Sequence, residues 1–433
     1  GTGRRNGPCY GRWGIRNVRG AMKKPTRLKL FFMMVLELFI WGAWLPLVFP
    51  YMNSIGFTGT QQALVGSAFA IASILGMFFS NQFADRTFAA EKFMATSHLI
   101  GGLSMLGLFF TRDFGPFFTL MLIHSIVYVP TISVANSLAF ANLRDPAKEF
   151  GLVRMGGTIG WILASWPLYF ILKGTTGEAL TKAQSYIFIV SGVASLVLAA
   201  FCLTLPHTPP KPATGEDRFA WLKSGKFLLV PYIAVLFVVT FIDATIHNGY
   251  FVLAGTFLGK IGFQPENIMP IMSIGQIAEI LTMAVLGFFL KRLGWKLTMI
   301  LGILGHAVRF AVFAFFPMEH TLIVVVQVLH GICYAFFFAT VYIFIDAAFP
   351  KDVRASAQGW FNLLILGLGD LAAKWIFLPL QERLTDASGA VNFKALFLVP
   401  TGLALVATVL LAVAFWPPRD VGATAEGGGA APH

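Results

Sequence analysis

Charge is what this sequence has least of. Only 12% of its 433 residues are Asp, Glu, Lys or Arg, about half the share a soluble domain carries, so it cannot coat several soluble cores. Cysteine is nearly as scarce: Cys9, Cys202 and Cys333 are too few and too far apart for a disulfide framework or a metal cluster. The last two lie inside apolar runs and read as packing residues. Also missing are an HExxH sequence, a paired-His metal set, a nucleophile elbow and any loop long enough for a soluble catalytic domain. Neither an enzyme nor a cofactor or metal is therefore expected. A signalling receptor is not expected either, because the segment from Pro417 to His433 carries no output domain. The ten-residue alternation of a membrane β-barrel is absent as well.

What is present is apolar sequence, with 57% hydrophobic residues, 44 Phe and a mean hydropathy of +0.74. At about 20 residues per crossing, apolar runs near 28–50, 61–83, 93–111, 116–141, 152–172, 184–205, 228–256, 267–290, 297–316, 320–345, 354–379 and 391–416 predict twelve transmembrane helices. The expected fold class is therefore all-α integral membrane. The Pro-rich, charged stretch after the sixth run makes 206–227 a linker between an N-terminal bundle (28–205) and a C-terminal bundle (228–416). Residues 1–27 form an N-terminal tail, of which 1–21 are expected to be a non-native or disordered extension before Met22, and 417–433 a disordered tail. The first run is too long for a signal-peptide core and is expected to be retained.

The net charge of +12 would ordinarily suggest a nucleic-acid partner, but its placement gives another cause. Loops on the side of both termini and the linker hold 23 Lys and Arg, and the opposite loops hold 6. By the positive-inside rule both termini are cytoplasmic, and no nucleic-acid partner is expected. The halves also repeat: Asp85-Arg86 answers Lys291-Arg292 at 206 residues, and Arg154 answers Arg354 at 200. Parallel halves are the layout of the major facilitator superfamily, and NQFADRTFAAEK (81–92) resembles its loop motif, giving Asp85 and Arg86 a gating or structural role.

A charge at the bilayer centre costs about 2.5–3.5 kcal/mol, so each intramembrane one needs a partner or a task. They are Glu37, Arg154, Asp243, Glu279, Arg309, Asp346, Asp370 and Lys374. Helical spacing groups Glu37 with Trp41 and Trp44, Arg154 with Thr158 and Trp161, and Gln276 with Glu279. It likewise groups Thr245 with Asn248, Asp243 with His247, and His330 with Tyr334. Gly156 and Gly160 form a GxxxG pair suited to close helix approach. Asp370 and Lys374 read as a mutually neutralising gating or structural pair, Asp346 pairs with Arg354, and Arg309 is expected to snorkel outward. No basic residue lies one turn from Glu37 or Glu279 on its own helix. Amides, carboxylates and rings with few cations suit a neutral polar solute with a flat face.

WGAW (41–44), VPTISVANS (129–137), RMGGTIGW (154–161), LTLPH (203–207), MSIGQIAE (272–279), VRFAVFAF (308–315) and VRASAQGWF (353–361) together resemble the nucleoside:proton symporters of the major facilitator superfamily. The resemblance runs from Leu28 onward and implies a twelve-helix fold of two six-helix halves around a central cavity. It implies proton-coupled nucleoside uptake by alternating access across a bacterial cytoplasmic (inner) membrane, by a monomer whose partners are nucleoside, protons and the lipid bilayer. Carried over by position, Arg154, Thr158, Trp161, Thr245, Asn248, Gln276, Glu279, His330 and Tyr334 are substrate-binding candidates. Thr245 stands where the family pattern has Gln. The pattern also has an acid where Ala335 stands, and a neutral amide where Glu37 stands, so Glu279, Glu37 and Asp243 are the proton-coupling candidates. The competing expectations are a symporter for sugars or other small neutral polar metabolites, and an uncoupled facilitator.

Overall fold

The computed structural model describes residues 25–76, 88–210, 220–350, 354–418 and 421. Asp85 and Arg86, with most of their loop motif, lie outside these residues. Apart from a single bridge between Thr385 and Val391, regular structure among the described residues is helical. Spans one to six are Pro25–Ser54, Gly59–Leu75, Ala90–Phe109, Phe114–Asn142, Glu149–Leu172 and Gly177–Cys202. Span seven is Pro231–Lys260, ten is His320–Ala348, eleven is Ser356–Arg383 and twelve is Phe393–Ala414. Spans eight and nine form one helical run, Pro265–Phe315, of 51 residues. At 1.5 Å per residue it measures about 75 Å, enough for two crossings of a roughly 30 Å hydrocarbon layer. The chain turns within it at Gly294, whose φ of 70° favours a residue without a β-carbon.

Local chemistry sets several boundaries. Thr58 and Gln61 make a reciprocal capping box at the start of span two, and Asn392 accepts the Ala395 N–H at the start of span twelve. Short π-helical segments interrupt spans ten (Tyr334–Ala339) and eleven (Leu363–Leu368), a local widening that frees backbone groups and is frequent at functional sites. The GxxxG expectation holds. A β-carbon at Gly160 would lie 1.9 Å from the Val35 carbonyl oxygen and one at Gly156 2.7 Å from that of Phe31, so spans one and five pack backbone to backbone.

Two six-helix halves result, meeting around a central cavity. Their contacts gather at the end remote from Pro25, hereafter the far end. There the Gly59 N–H donates to Glu382 Oε2 (3.0 Å), Trp375 Nε1 donates to Ser67 Oγ (3.0 Å), and the Lys374 stem lies against Gly66. Nearby, Gly255 of span seven faces the Pro46 carbonyl of span one. At the near end the linker helix Ala220–Phe227 packs on span eleven, with Gly225 beside the Trp360 ring. Asp346 and Arg354 approach to 3.5 Å there, as their spacing suggested.

Candidate substrate cavity and proton sites

A small cavity lies between the halves. Its lining includes Trp41 and Phe69 from the N-terminal half and Asn248, Phe251, Asp370 and Lys374 from the C-terminal half. The rings form a continuous wall. Trp41 stacks on Phe69 (4.6 Å between centroids, 17°), meets Trp161 edge-on at 5.4 Å, and Trp161 in turn meets Phe251 at 5.7 Å. Gly42 lets this happen, because the Trp161 ring lies 3.1 Å from where its β-carbon would be. The Trp41 indole N–H has no protein acceptor.

Opposite the rings stands a polar rim. Asn248 Nδ2 donates to the carbonyls of Ala244 (2.9 Å) and Ile365 (3.0 Å), the latter inside the π segment of span eleven. With both amide hydrogens engaged, its Oδ1 remains as an acceptor. Lys374 donates to Asp370 one turn away, the pair anticipated from spacing, and both groups also line the cavity. Arg154 of span five lies within electrostatic reach of Glu279 on span eight and of Tyr334 and Tyr342 on span ten. Its guanidinium folds back over Gly157, where a β-carbon would stand 2.6 Å from Nη1. Gln276, one turn before Glu279, keeps a buried Oε1 without a donor.

Other candidates sit elsewhere. Thr245 is buried and donates to the Phe241 carbonyl (2.8 Å). His330 is also buried within the C-terminal half, one turn above Tyr334, its ring stacked on His247 at 4.6 Å. Arg309 does not snorkel: it is fully buried, gives Nη1 to His330 Nδ1 (2.8 Å) and Nη2 to His306 Nδ1 (3.2 Å), and lies 4.2 Å over the Tyr250 ring. Two imidazoles and a ring face hold the guanidinium inside the bundle, with its Nε left without an acceptor. Asp243 is buried beside this cluster, away from the cavity lining.

Glu37 is fully buried inside the N-terminal half. Oε2 meets His98 Nε2 at 2.9 Å, Oε1 accepts from Thr131 Oγ1 at 2.6 Å, and its backbone carbonyl accepts from the Tyr128 hydroxyl at 2.6 Å. His98 and Tyr128 went unremarked in the sequence, and Thr131 stood out only within the VPTISVANS block, because a partner on another helix leaves no local spacing signal. Phe69, Phe251 and Tyr342 were missed for a plainer reason, since a lone aromatic in an apolar run looks like any packing residue.

Among known proteins, the profile of the Nucleoside H+ symporter family matches residues 23–420. The putative nucleoside transporter YegT of Escherichia coli K12 is 33% identical over 379 residues, covering 85% of this chain and 87% of the relative. Xanthosine permease of the same organism is 28% identical, with 91% and 96% covered. A crystal structure of a point mutant of the nucleoside transporter NupG superposes with a TM-score of 0.82 at 26% identity, covering 90% of this chain and all of that one. A bacterial homologue of the lysosomal transporter Spinster, at 14% identity and a TM-score of 0.72, shares the fold. The chain is thus a multi-pass membrane protein of the major facilitator fold, and it belongs to the nucleoside:proton symporter family.

Proposed function

We propose that this protein carries nucleosides into the cell together with protons by alternating access, holding the substrate in the cavity between its halves. The observation that carries the reading is the pairing, within one cavity, of a wall of aromatic rings with a rim of amide, carboxylate and ammonium groups. A nucleobase stacks on Trp41, Trp161 and Phe251, and stacking is worth about 1–3 kcal/mol per base. Asn248 Oδ1 and Gln276 Oε1 accept from base or ribose, with Thr158 and Tyr334 supplying hydroxyls. Thr245 and His330 support the site from behind. Free sugars have hydroxyls for the rim but no flat face for the rings, so they compete poorly.

Glu279 is the coupling carboxylate, with Arg154 as its counter-charge. Protonation removes a charge from the interface between the halves and permits nucleoside to bind, and exposure to the alkaline side returns the proton. Coupling follows because both ligands favour the same conformations. Glu37, with a side-chain partner at each carboxylate oxygen, serves the N-terminal half as a bolt. The near end faces the cytoplasm, as the basic loops favour, in a bacterial inner membrane; the protein acts as a monomer, and far-end contacts between its halves suit an inward-facing state. Glu279→Gln is expected to lower pH-driven uridine accumulation in proteoliposomes while uridine still exchanges. Accumulation that is undiminished in Glu279→Gln contradicts the coupling assignment.

A further inference from the structure

Glu37 and Asp243 are 206 positions apart, as are His124 and His330, and Tyr128 and Tyr334. That interval relates the two halves. The first span of each half therefore sets a buried acid against a histidine from its third span, His98 or His306, beside a His-x-x-x-Tyr stretch of its fourth. In the N-terminal copy the pair is closed, with His98 Nε2 at 2.9 Å from one carboxylate oxygen and the Thr131 hydroxyl, which also reaches the Tyr128 carbonyl, at 2.6 Å from the other. In the C-terminal copy the acid is one methylene shorter and the pair is open. His306 Nε2 stands 3.7 Å from Asp243 Oδ2, and neither Asp243 oxygen has a donor.

An ionised carboxylate fully buried without a donor is costly. Arg309 is the cation of this pocket, and its guanidinium is engaged by His330, His306 and the Tyr250 ring. Because both imidazoles accept at Nδ1, each neutral ring carries its hydrogen on Nε2, so His306 aims an N–H across the gap toward Asp243. The remaining titratable groups here are His247 and Tyr250 on span seven and His330 and Cys333 on span ten. With Asp243 protonated, Arg309 keeps its hydrogen bonds to both imidazoles. His247, one turn along from Asp243, has an unpartnered Nδ1 and lies between pocket and cavity, stacked on His330 and 5.7 Å from the cavity ring of Phe251.

We propose that Asp243, with His306 as its partner and His247 as its entry point, is a second proton-binding site, loaded from the substrate cavity. The step is a proton transfer only: from cavity water to His247 Nδ1, then to a carboxylate oxygen of Asp243, whose neutral form faces His306. It rests on the symport reading above, in which Glu279 carries the first proton.

The test is the number of protons moved per uridine, read in proteoliposomes with the membrane potential clamped, by varying the uridine gradient until a fixed pH gradient drives no net flux. Two protons balance a uridine gradient of about 100-fold per pH unit and one proton about 10-fold. This ratio does not depend on how much of the protein is active. The wild type is expected to give two, and Asp243→Asn one. Should Asp243→Asn fail to fold, Asp243→Glu gives this copy the reach of the N-terminal one, closes the pair and is likewise expected to give one. A wild-type ratio of one, or a ratio of two kept by the folded variants, overturns the assignment. Glu279→Gln judges the first site separately: if it keeps the wild-type ratio, the symport reading of Glu279 fails while the Asp243 variants still answer for Asp243.

Discussion

Trp41 and Asn248 show how a side chain acquires a function from what surrounds it. Trp41 has a stacking partner in Phe69, an edge partner in Trp161 and a free indole N–H facing the cavity region, while Asn248 is fixed by two backbone carbonyls so that a single acceptor is presented. If a base stacks on this wall, Trp41→Ala removes about 1–3 kcal/mol, and uridine affinity measured by calorimetry is expected to fall roughly 5- to 150-fold. Glu37 makes the opposite case. Its Ala variant leaves the buried His98 Nε2 without its partner and is expected to cost about 3–5 kcal/mol, lowering the detergent melting temperature. Spacing along one helix made the groupings of Arg154, Glu279, Asp370 and Lys374 legible, and the Asp370–Lys374 contact follows directly from it. It did not reveal the partners of Glu37 or the burial of Arg309, because those contacts join helices 61 or 21 residues apart in the chain.

At the scale of the helix, apolar run length is a strong signal and helix ends are a weak one. Spans six and seven begin or end several residues beyond their hydropathy limits, since backbone hydrogen bonding continues into polar termini such as Gly177–Lys182. The π segments of spans ten and eleven had no signature in sequence, yet one of them supplies the Ile365 carbonyl that orients Asn248. Small residues were more informative. Gly160→Val drives a β-carbon into the Val35 carbonyl and is expected to cost at least about 1–3 kcal/mol, whereas Gly402→Ala, with open space around it, is expected to be neutral or stabilising in the same melting assay.

The loop between spans eleven and twelve offers a pH test outside the membrane. The Ser388 hydroxyl, then the Ala390 and Ser388 N–H groups, hold the Asp386 carboxyl below its ordinary value. A depressed folded value means the turn is fully stabilised above the ordinary carboxylate range and loosens as pH falls through the lower folded value. Hydrogen exchange at Ser388 and Ala390 should accordingly accelerate only in strong acid, and Asp386→Asn should show that faster exchange at neutral pH.

For the whole molecule, the feature that first ruled out a soluble protein, scarce charge, also organises its function. Basic residues gather in the loops of one face, and the buried ones fall into an interfacial set around Arg154, Glu279, Asp370 and Lys374 and two intrahelical-bundle sets around Glu37 and Asp243. The halves close at the far end through Gly59, Glu382, Ser67 and Trp375, so alternation requires those contacts to break while near-end ones form. The most direct test of the central claim is uridine accumulation by the purified protein in proteoliposomes under an imposed pH gradient, acidic on the far side. The account predicts concentration of uridine above the outside level, collapsed by a protonophore and competed by nucleosides but not by free sugars. Uptake that only equilibrates, or that the protonophore leaves unchanged, would contradict it.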